Sequence, residues 1–253
     1  MRCIVTGGAG FIGSNLVDRL VNDNHEVIVF DNLSTGKQEN INEKAKFFLV
    51  DISHQSYFED EKMKEIMTGV DVVFHTAALA RVQPSIENPI EFNNVNVGGT
   101  LNMLKACVDY GVKRFIYSSS SSVYGDVEQL PTPEEHKLNP MSPYALQKLI
   151  GEQYCKLYSE LHGLETACLR YFNVYGKRMS LELNGDSFNI GNGDNRSVNE
   201  IANMIGGDSI NVEPVIEPKE TLADNNKAKR VLGFNPSITI EDWIPTWKKE
   251  KGL

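Results

Sequence analysis

Tyr144 and Lys148 stand four apart in Ser142-Pro143-Tyr144-Ala145-Leu146-Gln147-Lys148. Pro143 suits the first turn of a helix that puts both side chains on one face. Upstream, the apolar run Phe115-Ile116-Tyr117 empties into serines at 118–122, followed by Val123-Tyr124-Gly125. Tyrosine is a weak base at neutral pH, and moving its pKa from about 10 to near 7 takes on the order of 4 kcal/mol of phenolate stabilisation. Lys148 and the positive charge of an oxidised nicotinamide can supply it. The phenolate then takes a proton from a sugar or alcohol hydroxyl, a serine hydroxyl holds the same oxygen, and the carbon gives its hydride to an acceptor. A Y-x-x-x-K pair alone is common on solvated helices, and a serine run alone can be a polar loop. Serines cut directly from a buried strand, at the carboxyl end where a doubly wound sheet binds ligands, weigh towards the chemical reading.

A hydride acceptor needs a seat, and Thr6-Gly7-Gly8-Ala9-Gly10-Phe11-Ile12-Gly13 offers one between an apolar strand and an amphipathic helix. Gly7 allows the tight turn, Gly10 lets the backbone approach a pyrophosphate, and Gly13 lets the helix pack on the strand, with N–H groups at the helix start meeting the phosphates. Asp31 closes the second strand, where a carboxylate binds the adenosine ribose hydroxyls and repels a 2′-phosphate, so NAD is favoured over NADP. Lys37 nearby pulls the other way. Asp51, after the third strand, either caps the next helix or contacts adenine.

The elements that must position these residues are written as an alternation of short apolar runs and helical patterns. Strands are expected at 3–5, 27–30, 47–50, 70–74, 115–117 and 164–170, with helices at 11–21, 55–67, 95–110 and 143–162. Continuous apolar strands are those of a parallel sheet covered on both faces, so the fold class is α/β with a doubly wound, Rossmann-type sheet. Composition changes at the Asn- and Gly-rich stretch 184–195, giving an NAD-binding domain at 1–178 and a small α/β region at 179–253. Within that region we expect strands at 187–190 and near Ile210, helices capped by Ser197 and Asp224, and a last helix from Ile240.

The chain has 253 residues, 41% of them hydrophobic, enough for a full core, and a formal net charge of -9. That charge, with no basic run, argues against nucleic acid or an anionic membrane as partner. Cys3, Cys107, Cys155 and Cys168 are scattered, with no C-x-x-C pair or histidine cluster, so neither a zinc site nor a disulfide framework is suggested. A reducing cytoplasm fits best, and no apolar run suggests export or membrane insertion. His75 at a strand end reads as a satisfied buried histidine rather than a base, and Trp243 and Trp247 as packing residues of the last helix.

In these motifs the sequence resembles the extended short-chain dehydrogenase/reductases, and within them the NAD-dependent UDP-sugar 4-epimerases. The resemblance runs from the glycine turn through Asp31-Asn32-Leu33, Asp51-Ile52, His75-Thr76-Ala77-Ala78, Asn96, the serine run, Tyr144 and Lys148 to Arg170-Tyr171-Phe172-Asn173. It implies Ser120 as catalytic serine, Tyr144 as base and Lys148 as its helper. It also implies Phe11, Ile12, Asn32, Ser34, Thr35, Gly36, Asp51, Ile52, Ala77, Ala78, Asn96, Ser118 and Phe172 around the cofactor. Ser120, Ser122, Tyr144 and Asn173 would meet the nucleotide sugar, Asn173 at its phosphates. The implied reaction oxidises C4 to a ketone, lets the keto sugar turn, and returns the hydride to the other face. Ser121-Ser122 stand where dehydratases carry Asp-Glu, and serine cannot replace a carboxylate acid at neutral pH. In the family it resembles, helices such as those at 95–110 and 143–162 form a two-fold bundle, so the resemblance implies a homodimer, although core packing alone would explain their apolar faces.

After Arg178 the resemblance thins. The stretch that brings a diphosphate-binding arginine is missing, and Pro214-Val215-Ile216-Glu217-Pro218 carries no second one. Thr221 falls where a small residue would admit an N-acetyl group, or is a surface threonine. Three readings follow: a nucleotide-sugar 4-epimerase, a catalytically impaired NAD-binding sensor or partner subunit, and a dehydrogenase or reductase acting on a smaller substrate.

Overall fold

The computed structural model describes residues 1–179, 195–207 and 220–252. Its strands are β1 (Arg2–Thr6), β2 (Glu26–Asp31), β3 (Lys46–Leu49), β4 (Val72–His75), β5 (Arg114–Ser120) and β6 (Glu165–Tyr171), in one sheet of order β3-β2-β1-β4-β5-β6. The pairs β1–β2, β2–β3, β1–β4 and β4–β5 are parallel, with Thr6 in register with both Phe30 and His75. The order reverses between β1 and β4, which is where such a sheet opens a crevice beyond its strand ends. Both faces are covered, as the continuous apolar strands require: Ile4 joins one core cluster with Phe30, Leu104 and Phe115, while Cys3 and Val5 join another with Val17 and Leu20.

Helices alternate with the strands: α1 (Phe11–Asn22), α2 (Glu61–Met67), α3 (Val82–Glu87), α4 (Pro89–Asn93), α5 (Thr100–Asp109) and α6 (Pro143–His162). The expected helix at 55–67 is a 3₁₀ turn, Gln55–Glu59, and then α2, because the Asp60 side chain accepts from Lys62 N and starts a new helix. The expected 95–110 helix likewise begins as a π-helical turn, Asn94–Gly99, before α5. α6 has the expected bounds: Ser142 caps it, Pro143 opens it and Gly163 closes it in the left-handed conformation.

The chain divides into two compact units, Met1–Ser120 with Ser142–Arg170, and Ser121–Met141 with Tyr171–Leu253. In the second unit Thr132 N donates to Leu222 O and Asp224 N to Thr132 O. Ser197 and Glu200 form a capping box on α7 (Val198–Ile205), as the Ser197 cap implied. α8 (Asn226–Leu232) has Asn225 rather than Asp224 as its N-cap, although the Asp224 carboxylate still accepts from Asn226 N at 2.9 Å. α9 (Ile240–Lys251) starts as expected behind Thr239. Ile201, Ile240 and Ile244 form a core cluster among this unit's described residues, with Trp243 packed against it and Trp247 6.0 Å from Trp243. The strands expected at 187–190 and near Ile210 lie outside the described residues.

Candidate dinucleotide and catalytic site

The glycine turn is dictated by close approach. Gly7 has φ +69°, and a Cβ there would stand 2.8 Å from Ala77 Cα; one on Gly13 would stand 2.2 Å from Gly7 O. Gly10 differs, since its Cβ position meets only Gly7 O, at 3.2 Å, and otherwise faces open space. Gly10 is also the N-cap of α1, with no side-chain cap and no acidic residue in the first turn behind it, so the helix start stays available to an anion. Asp31, almost fully buried, takes Ala9 N on one carboxylate oxygen at 3.0 Å and Leu33 N on the other at 2.8 Å. Each oxygen keeps a lone pair for a hydroxyl. A pyrophosphate cradle open at Gly10 and a fixed carboxylate at the end of β2 fit NAD.

Asp51 does not cap a helix; Asp60 caps α2 instead. Its carboxylate accepts from Ser53 N and Oγ and from Asn32 Nδ2 at 3.1 Å. Burial opposes its ionisation, but these bonds prevail and hold it below the usual carboxylate range. Ser34 N donates to Asn32 Oδ1, and Ser34 and Thr35 are exposed beside the more sheltered Gly36. Ile52 is buried, fitting against Gly99 of the π turn.

Beyond β4, Thr6 Oγ accepts from Ala77 N, leaving its own proton for His75 Nδ1 at 2.9 Å. Thr100 Oγ1 donates to Asn96 O and so accepts from His75 Nε2 at 3.0 Å. Both threonine protons are thereby assigned, which fixes His75 as the neutral Nε2–H tautomer, and burial pushes its pKa down to about 3. Asn96, also buried, spends its amide on Leu79 N, Leu79 O and Gln147 Oε1, clamping the loop that begins Ala77-Ala78 to the π turn and α6.

The catalytic candidates gather where β5 meets α6. Lys148 is buried, its Nζ donating to Ser118 O at 2.8 Å and lying 5.0 Å from the Tyr117 ring centre and 5.9 Å from that of Tyr144. Burial lowers its pKa to about 8. Tyr144 is half-buried; burial raises its pKa, and a hydrogen bond with Ser120 works against that rise. Tyr144 N donates to Ser85 Oγ at 3.1 Å, which anchors the start of α6 to α3. The first unit thus brings together Ser118, Ser120, Tyr144 and Lys148. Ser122, Phe172 and Asn173 belong to the second unit, where Phe172 lies 6.1 Å from the Tyr124 ring.

Several supporting residues were not anticipated: Thr6 and Thr100 on His75, Ser85 under Tyr144, Gln147 on Asn96, and a network behind the serine run. There Ser119 Oγ donates to Glu152, whose carboxylate pairs with Arg170 at 2.7 Å, with both side chains largely buried. Glu152 continues the four-residue spacing of Tyr144 and Lys148, the signal that marks it on the same helical face.

The family described as "NAD dependent epimerase/dehydratase family" matches residues 3–195. A putative UDP-glucose 4-epimerase of Methanocaldococcus jannaschii is 47% identical over 176 residues, 69% of this chain and 56% of that protein. With that and several other curated relatives the match spans about half of the relative's length. The UDP-glucose 4-epimerase of Mycolicibacterium smegmatis is 31% identical across 96% of both chains, in an alignment of 308 residues. That exceeds the 253 residues of this chain, so the alignment passes over a gap. The crystal structure of UDP-glucose 4-epimerase with UDP-glucose from Thermotoga maritima superimposes with a TM-score of 0.86 at 31% identity, over 99% of this chain and 100% of that one.

Proposed function

The chain belongs to the NAD dependent epimerase/dehydratase family, and on that premise we propose that it inverts C4 of a nucleotide sugar of the UDP-glucose or UDP-N-acetylglucosamine type through a 4-keto sugar. The observation that carries the reading is the pairing of the Ser120 hydroxyl with the Tyr144 phenol beside the buried Lys148 ammonium, at the carboxyl edge of the sheet. NAD, when bound, would supply a hydride acceptor and donor for C4. Asp31 would hold its adenosine ribose, and Gly10 with the start of α1 would hold its pyrophosphate. Tyr144 removes the proton from the C4 hydroxyl and later returns it. Ser120 holds the same oxygen through both steps, and Lys148 favours the phenolate by its charge. The relatives named UDP-glucose 4-epimerase and the neighbour solved with UDP-glucose support this reading.

Ser122 and Asn173 join the substrate site in this proposal, Phe172 and Asn96 border the cofactor, and residues 179–253 form a reduced substrate-binding region. The protein acts as a homodimer, supported by the exposed Leu146, Leu157 and Leu161 along α6. It works in the cytoplasm, a reading supported by its four free cysteines. Among the described residues no helix is long and apolar enough to cross a membrane.

The alignment gap and the missing arginines favour a second reading, a subunit that holds NAD but does not turn over alone. Proton NMR of UDP-glucose, UDP-N-acetylglucosamine and UDP-glucuronate incubated with the NAD-loaded protein separates the two. We expect the C4 epimer of one of them, formed about a thousandfold more slowly with Tyr144→Phe. No epimer from any of them would favour the subunit.

A further inference from the structure

Two thiols that the proposed reaction does not use meet where α6 crosses β6. Cys155 is buried on the helix and Cys168 is exposed on the strand. Side chains alternate along a strand, so Thr166, Cys168 and Arg170 share one face of β6. Thr166 Oγ1 donates to Cys155 O at 3.1 Å, and the Arg170 guanidinium donates to Glu152 at 2.9 and 2.7 Å, one helical turn before Cys155. Cys168 lies between these two anchors, and its side chain hydrogen-bonds that of Cys155. From this geometry we propose that Cys155 and Cys168 are an oxidisable pair that closes to a disulfide on exposure to peroxide, tying α6 to β6.

The order of events follows from access. The hydrogen bond with Cys168, together with burial, pushes the Cys155 thiol well above the ordinary cysteine range, so it keeps its proton and is shielded from solvent. Peroxide therefore meets Cys168 first. One oxygen of hydrogen peroxide is transferred to the Cys168 sulfur, giving a sulfenic acid and one water. The Cys155 sulfur then displaces the hydroxyl of that sulfenic acid; the S–S bond forms, the S–O bond breaks, and the Cys155 proton leaves with the hydroxyl as a second water. Cys3 and Cys107 are buried, so Cys168 is the thiol a reagent in solution reaches.

The test uses the full chain, reduced, then treated with hydrogen peroxide, denatured in an alkylating reagent and mapped by mass spectrometry. We expect a linked Cys155–Cys168 peptide about 2 Da lighter than its two reduced halves, regained as free thiols with dithiothreitol, and loss of the thiol that reacts in the native protein. Cys168→Ser should give no link and leave the other thiols intact. Cys155→Ala should let dimedone trap the sulfenic acid on Cys168. The proposal is overturned if wild-type protein yields Cys155 alkylated beside an over-oxidised Cys168, a Cys168–Cys168 link between chains, or no oxidation at Cys168. None of these readouts depends on epimerase activity.

Discussion

Tyr144 is the base in the proposed chemistry, and its surroundings set a condition on when it can act. In the protein without cofactor, burial raises the phenol above its ordinary value, and the Ser120 bond only moderates this. The nearby lysine carries its own proton below about pH 8. Tyr144 should therefore stay protonated at neutral pH until a further positive charge arrives. Ultraviolet titration of phenolate, taken as the difference between wild type and Tyr144→Phe, should show ionisation only above the ordinary tyrosine range without cofactor and a lower midpoint with oxidised NAD. An unchanged midpoint would remove the cofactor's charge from the account. The same substitution should slow C4 epimerisation by about a thousandfold, the scale of a lost general base. Asp31→Asn loses the charge proposed to face the ribose and one of the two acceptors that hold Ala9 N and Leu33 N, so NAD should bind about tenfold to a hundredfold more weakly and the preference over NADP should shrink, as calorimetry would show. The placement of Tyr144, Lys148 and Asp31 was readable in the sequence because each sits in a motif of fixed spacing. The threonines around His75 were not, because Thr6, His75 and Thr100 meet only when β1, β4 and α5 pack.

Elements impose their own costs. His75 is neutral in the fold with a pKa of about 3 against an ordinary 6.5. Between those values the unfolded chain binds the extra proton and the folded chain does not, so stability falls as pH drops through that window, by on the order of 5 kcal/mol over its full width. His75→Gln can keep the bonds to Thr6 and Thr100 without titrating. Chemical denaturation at a series of pH values between 6.5 and 4 should give a shallower loss for the variant, and equal slopes would assign the acid sensitivity to other groups. At the glycine turn, Gly13→Ala puts a methyl 2.2 Å from Gly7 O, where backbone must move, so a loss of about 1–3 kcal/mol and weaker NAD binding are expected together. Strand and helix identities followed from apolar periodicity, and the start of α6 from Pro143. α3 and α4 escaped because they are short and lie among Pro84 and Pro89, and the π turn escaped because one wider turn leaves no mark in a helical repeat. The cap of α8 was misplaced by one residue because Asp224 and Asn225 are both good capping types.

For the molecule as a whole, a proposed dinucleotide seat and an assembled Ser120–Tyr144–Lys148 cluster stand in one chain with a proposed substrate region, and the alignment with one relative along nearly its full length passes over a gap. The first two were legible because local motifs write them. The consequence of the third is not a matter of local motif, since cationic partners for a diphosphate come from residues far apart in the chain. The proposed chemistry is a closed cycle in which the hydride taken from C4 goes back to C4. The most direct test is to supply UDP-sugar carrying deuterium at C4 to the NAD-loaded protein and locate the label by NMR and mass spectrometry. We predict a C4 epimer that keeps the deuterium at C4, with no net reduction of cofactor in solution. Deuterium appearing in released reduced cofactor would identify a dehydrogenase instead, and label that never leaves unaltered substrate would contradict catalysis by this chain alone.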